Sequence, residues 1–273
     1  MTGKGQVGQQ LIESPLVKKV SFTGSVPTGI AVGKVAMQND LTRVSLELGG
    51  KNAAIIFEDT HIDEILPNLI QATYVHQGQV CAAPERFFVH ASKYEEFTTK
   101  LTGALGQIQF SDPMEETCMF GPLANEAHFN KVSRYIEIAK QNNQILCGGV
   151  TDSSEGYFIS PTLVEIKQSD DQLATEETFG PIVGVIKFEN VDDLVAQVNN
   201  TRFGLTASIW SNNLSQVFQL IPQLEVGSVW VNSHTFLDPA VPFGGAKASG
   251  IGREFSDAFI DDYTELKSVI MHY

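Results

Sequence analysis

Two polar side chains sit in settings suited to nucleophilic chemistry. Cys81 lies in the glycine-containing stretch HQGQVCAAPERF, where backbone N–H groups can lower a thiol's pKa and face a developing oxyanion. A thiolate in such a loop adds to an electrophilic carbonyl and holds the product as a covalent adduct. Glu47 lies in RVSLELGGK between Leu46 and Leu48. A carboxylate held in an apolar pocket has its pKa raised by desolvation, which suits it to activating water. Each residue also has a plainer reading. A lone cysteine is more often a buried structural thiol, the reading kept for Cys118 and Cys147, and a leucine-flanked glutamate is equally a carboxylate on an exposed strand edge.

Phosphate binding has two candidate turns. Gly3, Gly5 and Gly8 spell G-x-G-x-x-G, a pattern that works only where a strand runs in and a helix leaves. Two residues precede Gly3, so this stretch is expected to be a loop leading into a helix over residues 6–14. VKKVSFTGSVPTGIAVGKVAM meets the requirement better, with a strand over 18–22, a Thr23-Gly24-Ser25 turn and a helix over 27–37. Ser25 suits an N-cap, Pro27 suits a first turn, and Gly24 and Gly29 permit close approach of a phosphate. An ordinary strand–glycine–helix turn explains the same residues equally well.

These candidates need elements to hold them. The 273 residues suffice for one large or two ordinary domains, and 42% hydrophobic with 18% charged residues describes a soluble globular chain. A net charge of −14 argues against a nucleic-acid partner, because an acidic surface repels phosphate backbones. No apolar run approaches the ~18–20 residues of a membrane span, and no signal-peptide pattern opens the chain. Three scattered cysteines without C-x-x-C, and six histidines without H-x-x-H, give no metal site and no disulfide framework; a reduced, cytoplasmic setting is the expectation.

Short β-branched runs alternate with helical stretches, the habit of α/β proteins. VKKVSF, NAAIIF, RFFVHA, IVGVIKF, TASIW and GSVWVN read as strands. Residues 63–77, 95–106, 126–141 and 191–199 read as helices, the last opening on Asp192 and Asp193 as a helix N-terminus favours. The glycine-rich PFGGAKASGIGRE, residues 242–254, reads as a loop carrying the chain out of one domain.

ELGGK around Glu47 and GQVC around Cys81 resemble the two active-site signatures of the aldehyde dehydrogenase superfamily. EETFGPI, NxxxxGLTASIW, GSVWVN and PFGGAKASGIGRE follow in the family's order, so the resemblance covers essentially the whole chain. GQVCAAPERF with VWVNSHTFLDPAVPFGG looks most like the phenylacetaldehyde dehydrogenase branch. The resemblance implies an α/β fold: part of a Rossmann-type cofactor domain over residues 1–49, an α/β catalytic domain over 50–245, and a segment over 246–273 returning to the cofactor and oligomerisation region. It implies NAD or NADP as cofactor, a small aldehyde as substrate and a homo-oligomer.

By the same resemblance Cys81 is the nucleophile and Glu47 the base. Gly24, Ser25 and Gly29 belong to the phosphate turn, Leu48 and Gly49 lie near the nicotinamide amide, Glu177 accepts from the nicotinamide-side ribose and Phe179 packs beside that ring. Val75, Leu237 and Phe243 line the aldehyde tunnel, whose apolar walls favour an aromatic or aliphatic aldehyde. In the family MTGKGQVG is a mid-domain loop. The preceding strands and an upstream asparagine of the oxyanion hole are missing here, so an N-terminally truncated chain of impaired activity is expected. A non-catalytic remnant is the competing reading. A relative that passes its thioester to coenzyme A is disfavoured by Glu47, which serves hydrolysis.

Overall fold

The computed structural model describes residues 2–142 and 144–273. The chain enters through α1 (Gly5–Ile12), β1 (Lys19–Gly24), α2 (Val26–Gln38) and β2 (Arg43–Leu48). β1 and β2 are parallel, in register from Lys19 opposite Arg43 to Gly24 opposite Leu48, so α2 is the crossover of a βαβ unit. Ser25 caps α2 by accepting from the Thr28 N–H at 3.4 Å, and Pro27 occupies the first turn, where its missing N–H is harmless.

Gly29 decides how closely α2 lies on β2. A Cβ at this position would sit 2.6 Å from Leu48 Cδ2 and 2.8 Å from its Cδ1. Gly29→Ala is therefore expected to destabilise the chain by about 1–3 kcal/mol through overpacking. In a Leu48→Ala background the same change should be neutral or stabilising, since the clash is gone and alanine is the better helix former. Urea unfolding of the four proteins reads this cycle; additive effects would show that the contact does not set the packing.

The larger part begins with β3 (Asn52–Ile56), α3 (Ile62–Tyr74), β4 (Pro84–His90), α4 (Tyr94–Leu105) and α5 (Glu126–Asn142). It continues through β5 (Gln144–Cys147), a short pair β6 (Thr151–Asp152) and β7 (Phe158–Ile159), β8 (Thr162–Glu165), α6 (Gln172–Thr175) and β9 (Ile182–Phe188). After α7 (Val191–Asn199) come β10 (Phe203–Gly204), β11 (Thr206–Trp210), α8 (Leu214–Leu220) and β12 (Ser228–Val231). Among the described residues these build one seven-stranded sheet in the order β12-β11-β3-β4-β9-β8-β5, parallel except for the edge strand β5.

Both faces of this sheet are buried, which is why its central strands read as unbroken apolar runs. Ala53 and Ile55 of β3 point into a cluster with Val132 and Ile136 of α5, Leu194 of α7 and Val217 of α8. The alternate residues Ala54 and Ile56 join Leu69 of α3 and Phe97 and Leu101 of α4 on the opposite face. Among the described residues no helix is long and apolar enough to cross a membrane.

Three local differences from the sequence reading have physical causes. RVSLEL, a strand only in the plainer reading of Glu47, becomes β2 because β1 pairs it on one side and β14 (Gly250–Ile251) on the other, and Glu47 is buried there. The 242–254 stretch is thus only partly loop: β13 (Ala246–Lys247) pairs β10, and β14 carries the C-terminal segment back to β2, before α9 (Ala258–Tyr263). The helix expected to reach residue 77 stops at Tyr74, since His76 and Gln77 adopt left-handed φ of 54° and 57°. Gly78 follows at φ 70° against Gly180, where a Cβ would lie 2.5 Å from the Gly180 carbonyl oxygen.

Candidate active site

The C-terminal ends of β1 and β2 meet the N-terminal ends of β3, β4 and β9. Ligands of open α/β sheets bind beyond the carboxyl ends of strands, and here that region faces the loops entering the larger sheet. A cavity of about 280 Å³ lies there, lined by Thr23, Gly24, Ser25, Glu47, Leu48, Gly49, Cys81, His128, Lys131, Glu177 and Phe179. Of the residues singled out in the sequence, Cys81, Glu47, Gly24, Ser25, Leu48, Gly49, Glu177 and Phe179 are brought together. Gly29 is not among the lining residues; it packs α2 on Leu48.

Cys81 precedes β4 and is half-buried. The loop was expected to lower its pKa, and the Ala82 N–H does favour the thiolate. Burial outweighs that effect, the carboxylates of Glu47 and Glu177 add to it, and the thiol is pushed up. The correction is one of balance: a buried sulfur facing two acids loses more hydration and gains more repulsion than the amides of Cys81 and Ala82 return. A base is therefore needed to ionise it near neutral pH.

Glu47 is the penultimate residue of β2 and is 8% exposed, with Oε2 buried and without a hydrogen-bond partner among the described residues. Burial first, and repulsion by Glu254 after it, raise its pKa to about 7 against the opposing pull of Arg253. Its surroundings leave it little room, since a Cβ on Gly244 would come within 2.7 Å of Oε1. The Ser249 carbonyl accepts from the Leu48 N–H at 2.9 Å, and Ser249 Oγ donates to the Gly49 carbonyl at 2.7 Å. The C-terminal glycine-rich segment thus straps the end of β2 in place.

Glu177 accepts from the Gly50 N–H at 2.9 Å, and a Cβ at Gly49 would lie 2.1 Å from Glu177 Oε1, so only glycine admits this approach. Burial first, and repulsion by Glu85 after it, raise Glu177 to about 7 against the pull of the Gly50 N–H, Lys131 and Lys51. Phe179 takes a left-handed φ of 53°. Its N–H donates to Glu85 Oε1 at 2.7 Å, and its carbonyl accepts from His128 Nε2 at 2.6 Å. Burial pushes the His128 imidazole down, so it stays neutral as that donor.

His128 and Lys131 were not anticipated; Thr23 was read only as part of the Thr23-Gly24-Ser25 turn. The first two lie one helical turn apart on α5, beside the buried Phe129 and Val132. Their i, i+3 spacing was the available signal, but nothing local shows that α5 reaches the loops before β3, β4 and β9.

The expected tunnel residues fall elsewhere. Leu237 and Phe243 line a separate groove of about 430 Å³ with Trp230, Phe236, Val241 and Pro242. Val75 lines neither cavity and is 45% exposed at the start of the left-handed turn.

Comparison with known proteins agrees with this architecture. The aldehyde dehydrogenase family model matches residues 1–269. Betaine aldehyde dehydrogenase of Brucella anthropi is 38% identical over 272 residues, covering 98% of this chain and 56% of its own length. Phenylacetaldehyde dehydrogenase of Pseudomonas fluorescens is 36% identical over 277 residues, covering 100% of this chain and 55% of its own. The crystal structure of an NAD-dependent aldehyde dehydrogenase from Sinorhizobium meliloti superposes with a TM-score of 0.94 at 36% identity, over 98% of this chain and 54% of that one. The chain spans about half the length of the curated relatives it matches. With a family match over residues 1–269 and the fold to go with it, this chain belongs to the aldehyde dehydrogenase family.

Proposed function

We propose that the chain carries the thiol-bearing part of an enzyme that oxidises an aldehyde to a carboxylic acid with NAD or NADP, Cys81 being the nucleophile and Glu47 the base. The observation that carries this reading is the single cavity shared by a half-buried thiol, a carboxylate of pKa about 7, a capped helix N-terminus and the acid Glu177. The residues present fit the nicotinamide end of the cofactor. The amides at the start of α2, beside Gly24 and Ser25, suit a phosphate. Glu177 suits a ribose hydroxyl, Phe179 a ring edge, and the Leu48–Gly49 backbone the amide. Bound there, the nucleotide supplies the hydride acceptor.

The chain's own groups do the rest. Glu47 takes the thiol proton as Cys81 adds to the aldehyde carbon, giving a thiohemiacetal oxyanion; loss of hydride to the nucleotide leaves a thioester on the sulfur, and Glu47 releases its proton to solvent before the second half. Glu47 then takes a proton from water as it attacks the thioester, and the acid departs with the Cys81 sulfur restored. On this reading residues 1–49 serve the nucleotide, residues 50–245 carry the thiol, and residues 246–273 rejoin the first part, a division supported by the β14–β2 pairing. The aromatic groove holding Leu237 and Phe243 supports an aromatic or aliphatic aldehyde such as phenylacetaldehyde.

An activated ester tests the acyl half without nucleotide. With 4-nitrophenyl acetate the chain is expected to release a burst of nitrophenolate as Cys81 is acylated, then turn over at the deacylation rate. That rate should climb with pH through about 7 as Glu47 ionises, because a general base works only when deprotonated. Glu47→Gln should keep the burst, slow deacylation by about 10²-fold and abolish the climb. Equal loss of burst and turnover would give Glu47 another role, and no acylation at all would favour the non-catalytic reading.

A further inference from the structure

We infer that His234 is a positioning residue for the nucleophile loop: its Nε2–H holds the Ala82 carbonyl and thereby fixes the backbone that follows Cys81. The inference rests on the reading of Cys81 as nucleophile. His234 is 2% exposed, and its ring bridges Ser208 Oγ at Nδ1 and the Ala82 carbonyl at Nε2, both at 2.8 Å.

The direction of every proton in this chain follows from elementary inventory. The Trp210 indole can only donate, and it does so to Ser208 Oγ at 3.0 Å. The single Ser208 hydroxyl hydrogen is then directed to His234 Nδ1, which must accept. A neutral imidazole accepting at Nδ1 carries its proton at Nε2, and the Ala82 carbonyl can only accept. Burial lowers the His234 pKa to about 4, so the ring stays neutral in this tautomer.

A second side chain completes the hold. Asn52 Nδ2 donates to the Cys81 carbonyl at 2.7 Å and to the Ala83 carbonyl at 2.9 Å, while its Oδ1 accepts from the Thr206 N–H at 3.1 Å. Carbonyls 81, 82 and 83 are therefore all held, by Asn52 at the start of β3 and by His234 through Ser208 of β11. These strands are neighbours in the sheet. The main chain around His234 is set as firmly. Its N–H donates to Asn68 Oδ1 at 3.1 Å, and Asn232 and Thr235 on either side take left-handed φ of 53° and 62°. Trp230, a wall of the aromatic groove, packs on the imidazole at 4.8 Å between centroids. His234 thus joins that groove to the nucleophile loop.

Once the Ala82 carbonyl is free, only carbonyls 81 and 83 remain held, by Asn52, and the backbone amides that favour the thiolate are held less firmly, while Glu47 and Glu177 still repel it. The experiment is iodoacetamide alkylation of the whole 273-residue chain over a pH series, resolved by peptide mass spectrometry. His234→Phe should shift the Cys81 profile to higher pH and slow it by about tenfold near neutrality, one pH unit of thiolate population. Cys118 and Cys147 serve as internal references and should not change. His234→Gln, whose amide can donate to Ala82 and accept from Ser208, should restore the wild-type profile. Ser208→Ala, which leaves the ring but releases its tautomer, should shift Cys81 in the same direction by less, and keeps the test decisive if His234→Phe does not fold. An unchanged Cys81 profile in either His234→Phe or Ser208→Ala, with native circular dichroism, would overturn the relay. No aldehyde oxidation enters the readout, so failure of the nucleophile reading and failure of the relay are seen separately.

Discussion

Cys81→Ser is expected to reduce turnover of the activated ester by at least about 10³-fold and to remove the nitrophenolate burst. The substitution is nearly isosteric and keeps the loop, because the carbonyls of residues 81–83 remain held by Asn52 and His234. What changes is the nucleophile. A serine hydroxyl is far harder to ionise than a thiol, and Glu47, with a pKa of about 7, is matched to a thiol proton and not to an alcohol proton. Neither remaining cysteine offers a substitute. Cys118 donates weakly to the Ser111 carbonyl at 3.6 Å, and Cys147 packs against the apolar layer below α4, where burial pushes its thiol up; neither lines the cavity that holds Glu47. The check is twofold: burst kinetics, and the site of the acetyl adduct in trapped wild-type protein. An adduct on Cys118 or Cys147, or a burst surviving in Cys81→Ser, would remove Cys81 from its role.

Breaking the buried Lys51–Glu85 pair is expected to cost about 3–5 kcal/mol of folding stability for either single substitution. Lys51 and Glu85 have side-chain exposures of 1% and 6%, with Nζ 2.5 Å from Oε2. Burial drives Lys51 downward and Glu85 pulls it back. Glu85 does more than neutralise a lysine, for its two oxygens also accept from the consecutive N–H groups of Thr178 and Phe179 at 2.9 and 2.7 Å. It thereby holds Phe179 in its left-handed conformation and aims the Glu177–Phe179 loop at the cavity. Lys51→Met strands a carboxylate that keeps two amide donors. Glu85→Leu strands an ammonium and orphans both amides, so it should be the worse of the two. Combining them should recover part of the loss, since an apolar pair no longer buries an unmatched charge, yet the orphaned amides leave a residual cost of about 1–3 kcal/mol each. Urea unfolding of the two single variants and the double variant measures this. A single-variant cost under about 1 kcal/mol, or strictly additive losses, would contradict the coupling.

The elements that carry the sheet were readable because their surroundings are simple. NAAIIF, RFFVHA and IVGVIKF became β3, β4 and β9, buried on both faces, and a strand with no wet face must be apolar throughout. The Thr23-Gly24-Ser25 turn was readable for a similar reason, since a cap, a first-turn proline and a glycine act over a few adjacent residues. β2 was legible only in the plainer reading of Glu47: its final residues, Glu47 among them, are strand because β1 and β14 pair them, and β14 arrives some two hundred positions later in the chain. The end of α3 was missed because its stop is a left-handed turn packed against Gly180, a distant contact.

The same division runs through the site. Residue type and order alone determined that Cys81 and Glu47 are the candidate thiol and carboxylate, that Gly24 and Ser25 form a phosphate-sized turn, and which family the motifs resemble. These are properties of short stretches, and short stretches are what a sequence displays. The tertiary structure decided the rest. It set the thiol upward and not downward, placed Glu47 near neutrality, brought His128 and Lys131 of α5 to the cavity, and separated Leu237 and Phe243 from it. It also tied the nucleophile loop to β3 and β11 through Asn52 and His234. Desolvation and Coulomb interactions depend on distance through space, and a hydrogen bond depends on where its partner stands. The groups that fix the chemistry of Cys81 come from strands, helices and loops scattered over some two hundred positions, so only folding gives them values.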